Sequence, residues 1–162
     1  MVLSIRTIRR TRSSHQAGFS LAELIVVIAV IGILTIMALP AYLRYRQAAI
    51  LKAGAQQVAT MINQARELAI KQNDSVCVKL PTSTRMVYAL GTCGGSAWVG
   101  AGTDAAGNMN LPAGTTMTAS ANPIFNYVGS ALPAANYTLT NTQTGATLTV
   151  AVAASGRVTI QP

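Results

Sequence analysis

The sequence predicts an α+β protein in which one long N-terminal helix, apolar in its first half and amphipathic in its second, packs on an antiparallel β-sheet head. Three observations predict it. From Phe19 to Leu39 the chain is almost unbroken apolar residue, with only Ser20, Glu23 and Thr35 polar. From Leu51 to Ala69 apolar residues recur at spacings of three and four, the signature of one helical face. Beyond Asn73, apolar residues alternate with Thr, Ala and Asn between turn-forming clusters, which is the strand pattern.

The chain has 162 residues, enough for one domain and an anchor. Hydrophobic residues make up 51% and charged residues only 10%, a low share for a soluble enzyme; mean hydropathy is +0.40. The formal net charge is +8, but residues 1–18 hold four arginines (Arg6, Arg9, Arg10, Arg12) and no acid. Without them eight basic groups face four acidic ones, a net +4. The high pI therefore overstates the charge of the remainder and weakens an argument from pI to nucleic acid.

The basic leader, residues 1–18, has no continuous apolar core and does not read as an ordinary secretory signal. As a helix, Phe19 to Leu39 would be about 31 Å long, close to the hydrocarbon thickness of a bilayer. Four leader arginines against Arg44 and Arg46 beyond the span favour a cytoplasmic N-terminus, with the head outside the inner membrane. Glu23 is the difficulty, since a carboxylate in hydrocarbon costs about 2.5–3.5 kcal/mol. Either it has a partner or it lies near one end and reaches the interface. Pro40 would break a soluble helix, and both Gly32 and Pro40 weaken this one; an ordinary kink is the simpler meaning.

Beyond Pro40 the helix is expected to continue to about Lys71. Leu51, Ala55, Val58, Ile62, Ala65 and Ala69 form its buried face, and Lys52, Gln56, Thr60, Asn63, Glu67 and Lys71 lie off it. Small residues, among them Ala59, allow close approach to a sheet. Gln72-Asn73-Asp74 ends the helix. The head is expected over 73–162, after an anchor at 19–40 and an amphipathic half at 41–72.

Ser75 to Leu80 reads as a strand, Pro81 to Arg85 as a turn and Met86 to Leu90 as the return strand. Cys77 and Cys93 are the only cysteines, and outside the cytoplasm they can close a disulfide over a 15-residue stretch. Such a loop closure stabilises by about 3 kcal/mol. Residues 94–123 read as a long loop or short irregular strands. Trp98 is either an exposed contact or packed on the sheet, the second being the simpler. Ile124 to Gly129 is expected to open a second β-region, followed by a meander over Tyr137–Asn141, Thr147–Val152 and Arg157–Ile160 with turns at 142–145 and 153–156.

Catalytic sets do not assemble. The single histidine, His15, is in the leader, and the acids outside the apolar run are Glu67, Asp74 and Asp104. That leaves no Ser-His-Asp or Cys-His set and no carboxylate pair. Two cysteines without histidine do not make a zinc site. Gly91 to Gly95 lacks the following lysine and helix of a phosphate loop. The expectation is a non-enzymatic protein with no cofactor and no metal.

Gly18-Phe19-Ser20-Leu21-Ala22-Glu23 before an apolar helix and behind an arginine-rich leader closely resembles the processing site of type IV pilins and pseudopilins. Phe125 to Gly129, the meander and the closing Gly156-Arg157-Val158 resemble the head of the subgroup containing GspH and FimT. The resemblance implies cleavage between Gly18 and Phe19 by a prepilin peptidase, with methylation of the new N-terminus. It implies that Glu23 pairs with the α-amino group of Phe19 on a neighbouring subunit, and that the helix near Gly32 and Pro40 bends or unwinds in a filament. The implied partners are the peptidase, other pilins or pseudopilins, an inner-membrane assembly platform, and membrane lipid before assembly. Two machines share this subgroup, type IV pili and type II secretion. An alternative function is DNA uptake, through Arg157 with Lys79 and Arg85; Thr159 stands where a second arginine is common, and aromatic interleaving is missing nearby.

Overall fold

The structure is a computed structural model and describes residues 19–162. They fall into two compact units, one ending at Pro40 and one running from Ala41 to Pro162. Helix α1 (Leu21–Gln72) contributes to both.

α1 starts two residues after the expected Phe19 because Ser20 caps it. The Ser20 hydroxyl accepts from the Glu23 N–H at 3.1 Å, and its carbonyl accepts from Leu24 N–H at 3.2 Å. Ser-x-x-Glu ahead of an apolar run is the sequence signature of such an N-terminus. The C-terminus closes on Asn73 in the left-handed region (φ 51°). Asp74 N–H donates to Ala69 O and Asn73 N–H to Ile70 O, the paired bonds of a Schellman motif.

In the unit from Ala41, the expected helical face is the observed one. Leu51, Ala55, Val58, Ile62, Ala65 and Ala69 are buried, joined by Gly54 and Met61, while the six polar residues off that face are exposed. A methyl at Gly54 would lie 3.3 Å from Leu139 Cδ2, so glycine sets how closely helix and sheet approach there.

Two antiparallel sheets receive this face. The first has the order β3-β2-β1-β5-β6, made of β1 (Val76–Thr82), β2 (Arg85–Leu90), β3 (Asn108–Asn110), β5 (Ile124–Phe125) and β6 (Ala131–Leu132). The second has the order β4-β7-β8-β9, made of β4 (Thr115–Ala119), β7 (Ala135–Asn141), β8 (Thr147–Val152) and β9 (Val158–Gln161). The last three strands are the meander, with Gly145 and Gly156 at positive φ in its two turns.

Two expectations change and one alternative is decided. The β1–β2 turn narrows to Ser83-Thr84, because Thr82 pairs with Arg85 after a register shift. Residues 94–123 hold the short strands, β3 and β4, which lie in different sheets. Ile124-Phe125 does not open the second β-region: it pairs with β1 in the first sheet (Val76↔Phe125, Cys77↔Ile124), where Phe125 is fully buried. Burial of that ring decides the pairing, and Tyr127 and Val128 are left exposed in the turn that follows.

The core joins helix and both sheets through Tyr88, Tyr137, Phe125, Ile62, Met86 and Met117. Tyr88 donates its hydroxyl to Met61 O of α1, and Tyr137 reaches Val78 O at 3.5 Å. Burial pushes both phenols well above their usual range.

Candidate functional site

The candidate sites lie in two regions: the N-terminal helix and the surfaces of the head. Gly18 and the leader lie outside the described residues. Phe19 is 84% exposed, directly before the capped helix start. From Leu21 to Leu39 every large apolar side chain is exposed, and the helix is long and apolar enough to cross a membrane. An apolar surface of this extent does not stay in water, so lipid or other protein must cover it. Thr35 satisfies its hydroxyl internally, donating to Ile31 O at 2.8 Å. Glu23 is exposed near the N-terminus, in the first turn of α1, where a carboxylate also meets the positive end of the helix dipole. Gly32 has no atom within 4 Å of where a methyl would be added, and Pro40 removes one backbone donor from the helix interior. The capping role of Ser20 is signalled in the sequence only by its three-residue spacing to Glu23.

In the head, Cys77 and Cys93 are joined as a disulfide with Cα atoms 5.0 Å apart. The bond ties fully buried Cys77 of β1 to the loop after β2. Lys79 is engaged at the same place, its Nζ donating to Cys93 O at 3.2 Å. Arg85, at the other end of this hairpin, is exposed. Hydrogen bonds from the Asn108 side chain and backbone, then from Ala106 N–H, hold the Asp104 carboxyl below its usual range, with a smaller contribution from the Arg85 charge. Arg157 is exposed beside Gly156, just ahead of β9 in the other sheet. The fold therefore puts Lys79 and Arg85 on one hairpin, Lys79 with a partner of its own, and sets Arg157 just ahead of a strand of the other sheet.

Trp98 is half-buried, its ring centroid 5.9 Å from that of Tyr88. Its N–H of the backbone donates to Tyr88 O, and its ring fills the space that a side chain at residue 100 would need. It packs on the sheet. Beside it lies an open groove of about 320 Å³ lined by Gln64, Glu67, Leu68, Lys71, Tyr88 and Trp98, with the Lys71–Glu67 ion pair (3.7 Å) at its rim. A second groove, of about 410 Å³, is lined chiefly by Ala48, Leu51, Lys52, Leu148 and Ile160. Among the described residues no three metal-ligating side chains come together.

An apolar N-terminal helix that continues as the spine of a head built on antiparallel sheets is the architecture of the pilin-like proteins. The family profile of the prokaryotic N-terminal methylation motif matches residues 13–39, and that of the type II transport protein GspH matches residues 54–156. The chain belongs to the GspH family. Its fold is similar to the crystal structure of the type IV minor pilin FimU of Pseudomonas aeruginosa PAO1 (TM-score 0.54, 14% identity, 73% of this chain and 92% of that one). It is also similar to the minor pseudopilin EpsH of the type II secretion system of Vibrio cholerae (TM-score 0.55, 13% identity, 70% of this chain and 94% of that one). At these identities the likeness is one of fold. Comparison with curated protein sequences gives no match.

Proposed function

We propose that this chain is a non-enzymatic minor pilin or pseudopilin subunit that assembles through its N-terminal helix into the filament of a type II secretion system or type IV pilus. The observation that carries this reading is the pairing of a methylation motif at 13–39 with a GspH head at 54–156 on a helix whose first half is apolar and exposed. A prepilin peptidase cuts between Gly18 and Phe19, and the new N-terminus is methylated. Before assembly, Phe19–Leu39 holds the chain in the inner membrane as a single span, N-terminus in the cytoplasm and head in the periplasm. During assembly the Phe19 ammonium of one subunit meets Glu23 of a neighbour: two charges that pair in low dielectric offset part of each other's desolvation cost. Gly32 and Pro40 let the helix between them loosen as subunits pack. Other pilins or pseudopilins and the inner-membrane assembly platform are the partners.

The test has two parts. The mature mass should fall by the leader of 18 residues in cells holding the peptidase, and Gly18→Ala should leave full-length chain. Deletion of the gene should then remove either sheared surface fibres, marking a pilus subunit, or secreted proteins from the supernatant, marking a pseudopilin. Unchanged fibres and unchanged secretion would refute the assembly role.

A further inference from the structure

Among the described residues, the only buried side-chain nitrogen or oxygen without a hydrogen-bond partner is Nε of Arg66, in the last two turns of α1. No carboxylate lies within ion-pair distance of it either: the one ion pair among these residues is Lys71–Glu67. A guanidinium stays charged at any pH a protein meets. An unmade hydrogen bond inside the fold is a cost, and no contact within the chain offsets it. Two glycine turns hold the group in place. A methyl at Gly129 would lie 2.7 Å from Arg66 Nε, and one at Gly156 3.2 Å from it. Both turns are fixed internally. Asn126 Oδ1 accepts from Val128 N–H at 3.1 Å and from Ser130 N–H at 3.0 Å, while Gly156 N–H donates to Ala153 O at 2.8 Å. The surroundings of the guanidinium are apolar. Ile70 stands one helical turn beyond Arg66 on the same side of α1, its Cδ1 3.1 Å from the same methyl position at Gly129. Tyr127 and Val128 precede Gly129 in its turn, and all three apolar side chains are exposed. Arg157 follows Gly156, is exposed, and adds a second positive charge.

We propose that this patch, Arg66 framed by Ile70, Tyr127 and Val128, docks a segment of a different pilin-like subunit that offers one carboxylate among apolar side chains. The class of partner rests on the filament reading above; the carboxylate rests on the patch alone. A carboxylate matches the planar fork of a guanidinium with two parallel hydrogen bonds. The two turns close over Nε, which leaves the terminal amino groups to the acid. A guanidinium already held by packing loses little freedom when it binds. Arginine and tyrosine are the side chains that dominate binding hot spots, and an apolar surround keeps water from the ion pair. The head's own side-chain carboxylates are engaged: Glu67 with Lys71, Asp74 with Ser75 N–H, Asp104 with Asn108 and Ala106. A second copy therefore has no free acid to give, and the acid comes from another chain. A nucleic-acid backbone would meet the arginines but leave Ile70 and Val128 uncovered. The contact joins unlike surfaces and needs no two-fold axis, so both chains keep their anchors pointing the same way.

The test uses the full chain in cells that carry its assembly system. A benzophenone amino acid replaces Tyr127 or, as an exposed control, Gln143. Irradiation should join position 127, and not position 143, to a second pilin-like chain, with an Asp or Glu of that chain close to the link. Arg66→Glu should lower this adduct about tenfold or more, the loss of a hot-spot arginine, and arginine at the partner's acidic position should restore it. Val128→Glu, wholly on the surface, should lower it as well, so the test survives an Arg66→Glu chain that fails to fold. No adduct, an adduct of twice the chain's mass, or an adduct indifferent to both variants overturns the proposal. Without an adduct, retardation of duplex DNA that Arg66→Glu abolishes and Val128→Glu leaves intact assigns the arginine to phosphate instead. Deletion of the gene reads the filament role separately: lost fibres or secretion with no adduct at position 127 leaves assembly standing and refutes the patch alone.

Discussion

Asn141 is the strongest single test of how the head grips its helix. Its side chain is fully buried at the end of β7 and makes four hydrogen bonds. Nδ2 donates to Gln47 O and to Gln47 Oε1, both at 3.1 Å, while Oδ1 accepts from Gln143 N–H at 2.8 Å and Thr144 N–H at 3.1 Å. One residue thus caps the β7–β8 turn and clamps α1. Each bond contributes about 0.5–1.5 kcal/mol net. Gln143 and Thr144 are exposed, so water recovers part of the turn bonds in a variant. Asn141→Ala should therefore cost about 2–3 kcal/mol. Gln47→Ala removes only the side-chain bond, about 1 kcal/mol, and the double variant should show a coupling of similar size. Asn141→Asp keeps the turn bonds but sets a carboxylate oxygen against both Gln47 oxygens, and should lose at least as much as alanine. The assay is urea unfolding of the full chain in micelles, followed by fluorescence of Trp98, the chain's single tryptophan. An Asn141→Ala variant within about 0.5 kcal/mol of wild type would refute the clamp, since that is the scatter of ordinary surface substitutions.

Gly156→Ala should cost more than Gly145→Ala, although both glycines have positive φ (78° and 69°). A methyl at Gly145 meets open space, leaving only the left-handed penalty of about 1–2 kcal/mol, whereas at Gly156 it would overlap Gly129 O and force two turns apart; equal melting shifts would contradict this. Reducing the Cys77–Cys93 bond, or Cys93→Ser, should lower stability by about 3 kcal/mol from loop closure over the 15 intervening residues, measured by the same urea assay. Asp104 is held below its usual range by Asn108, so its stabilising contribution is complete above the ordinary carboxyl value of about 3.9 and is lost as pH falls through the lowered folded value. Asp104→Asn should flatten the acid limb of the stability profile; an unchanged slope would remove the Asx-turn account of this loop.

The helical part of the molecule was legible because helix periodicity is local. The face Leu51–Ala69 needs only the 3.6-residue repeat, and its end needs only an asparagine that tolerates positive φ. The apolar run, and the methylation motif that takes it in, are likewise contiguous in sequence. The meander was legible for the same reason: alternation and glycine turns specify hairpins between neighbours.

What tertiary structure decided was everything that joins distant segments. Ile124-Phe125 looks like the start of a new region, but burial of Phe125 draws it beside β1, almost fifty residues earlier in the chain. Asn141 reads as a turn residue, and only the packed structure puts its amide on Gln47, 94 residues away. Lys79, Arg85 and Arg157 read as one basic set, yet strand order sets Arg157 apart from the other two, and Lys79 has a local partner in Cys93 O. By itself the sequence determined the apolar helix, the methylation motif and most of the elements, because each rests on short-range sterics and periodicity; the tertiary structure decided pairing and burial, because those depend on which distant surfaces compete for the same partner.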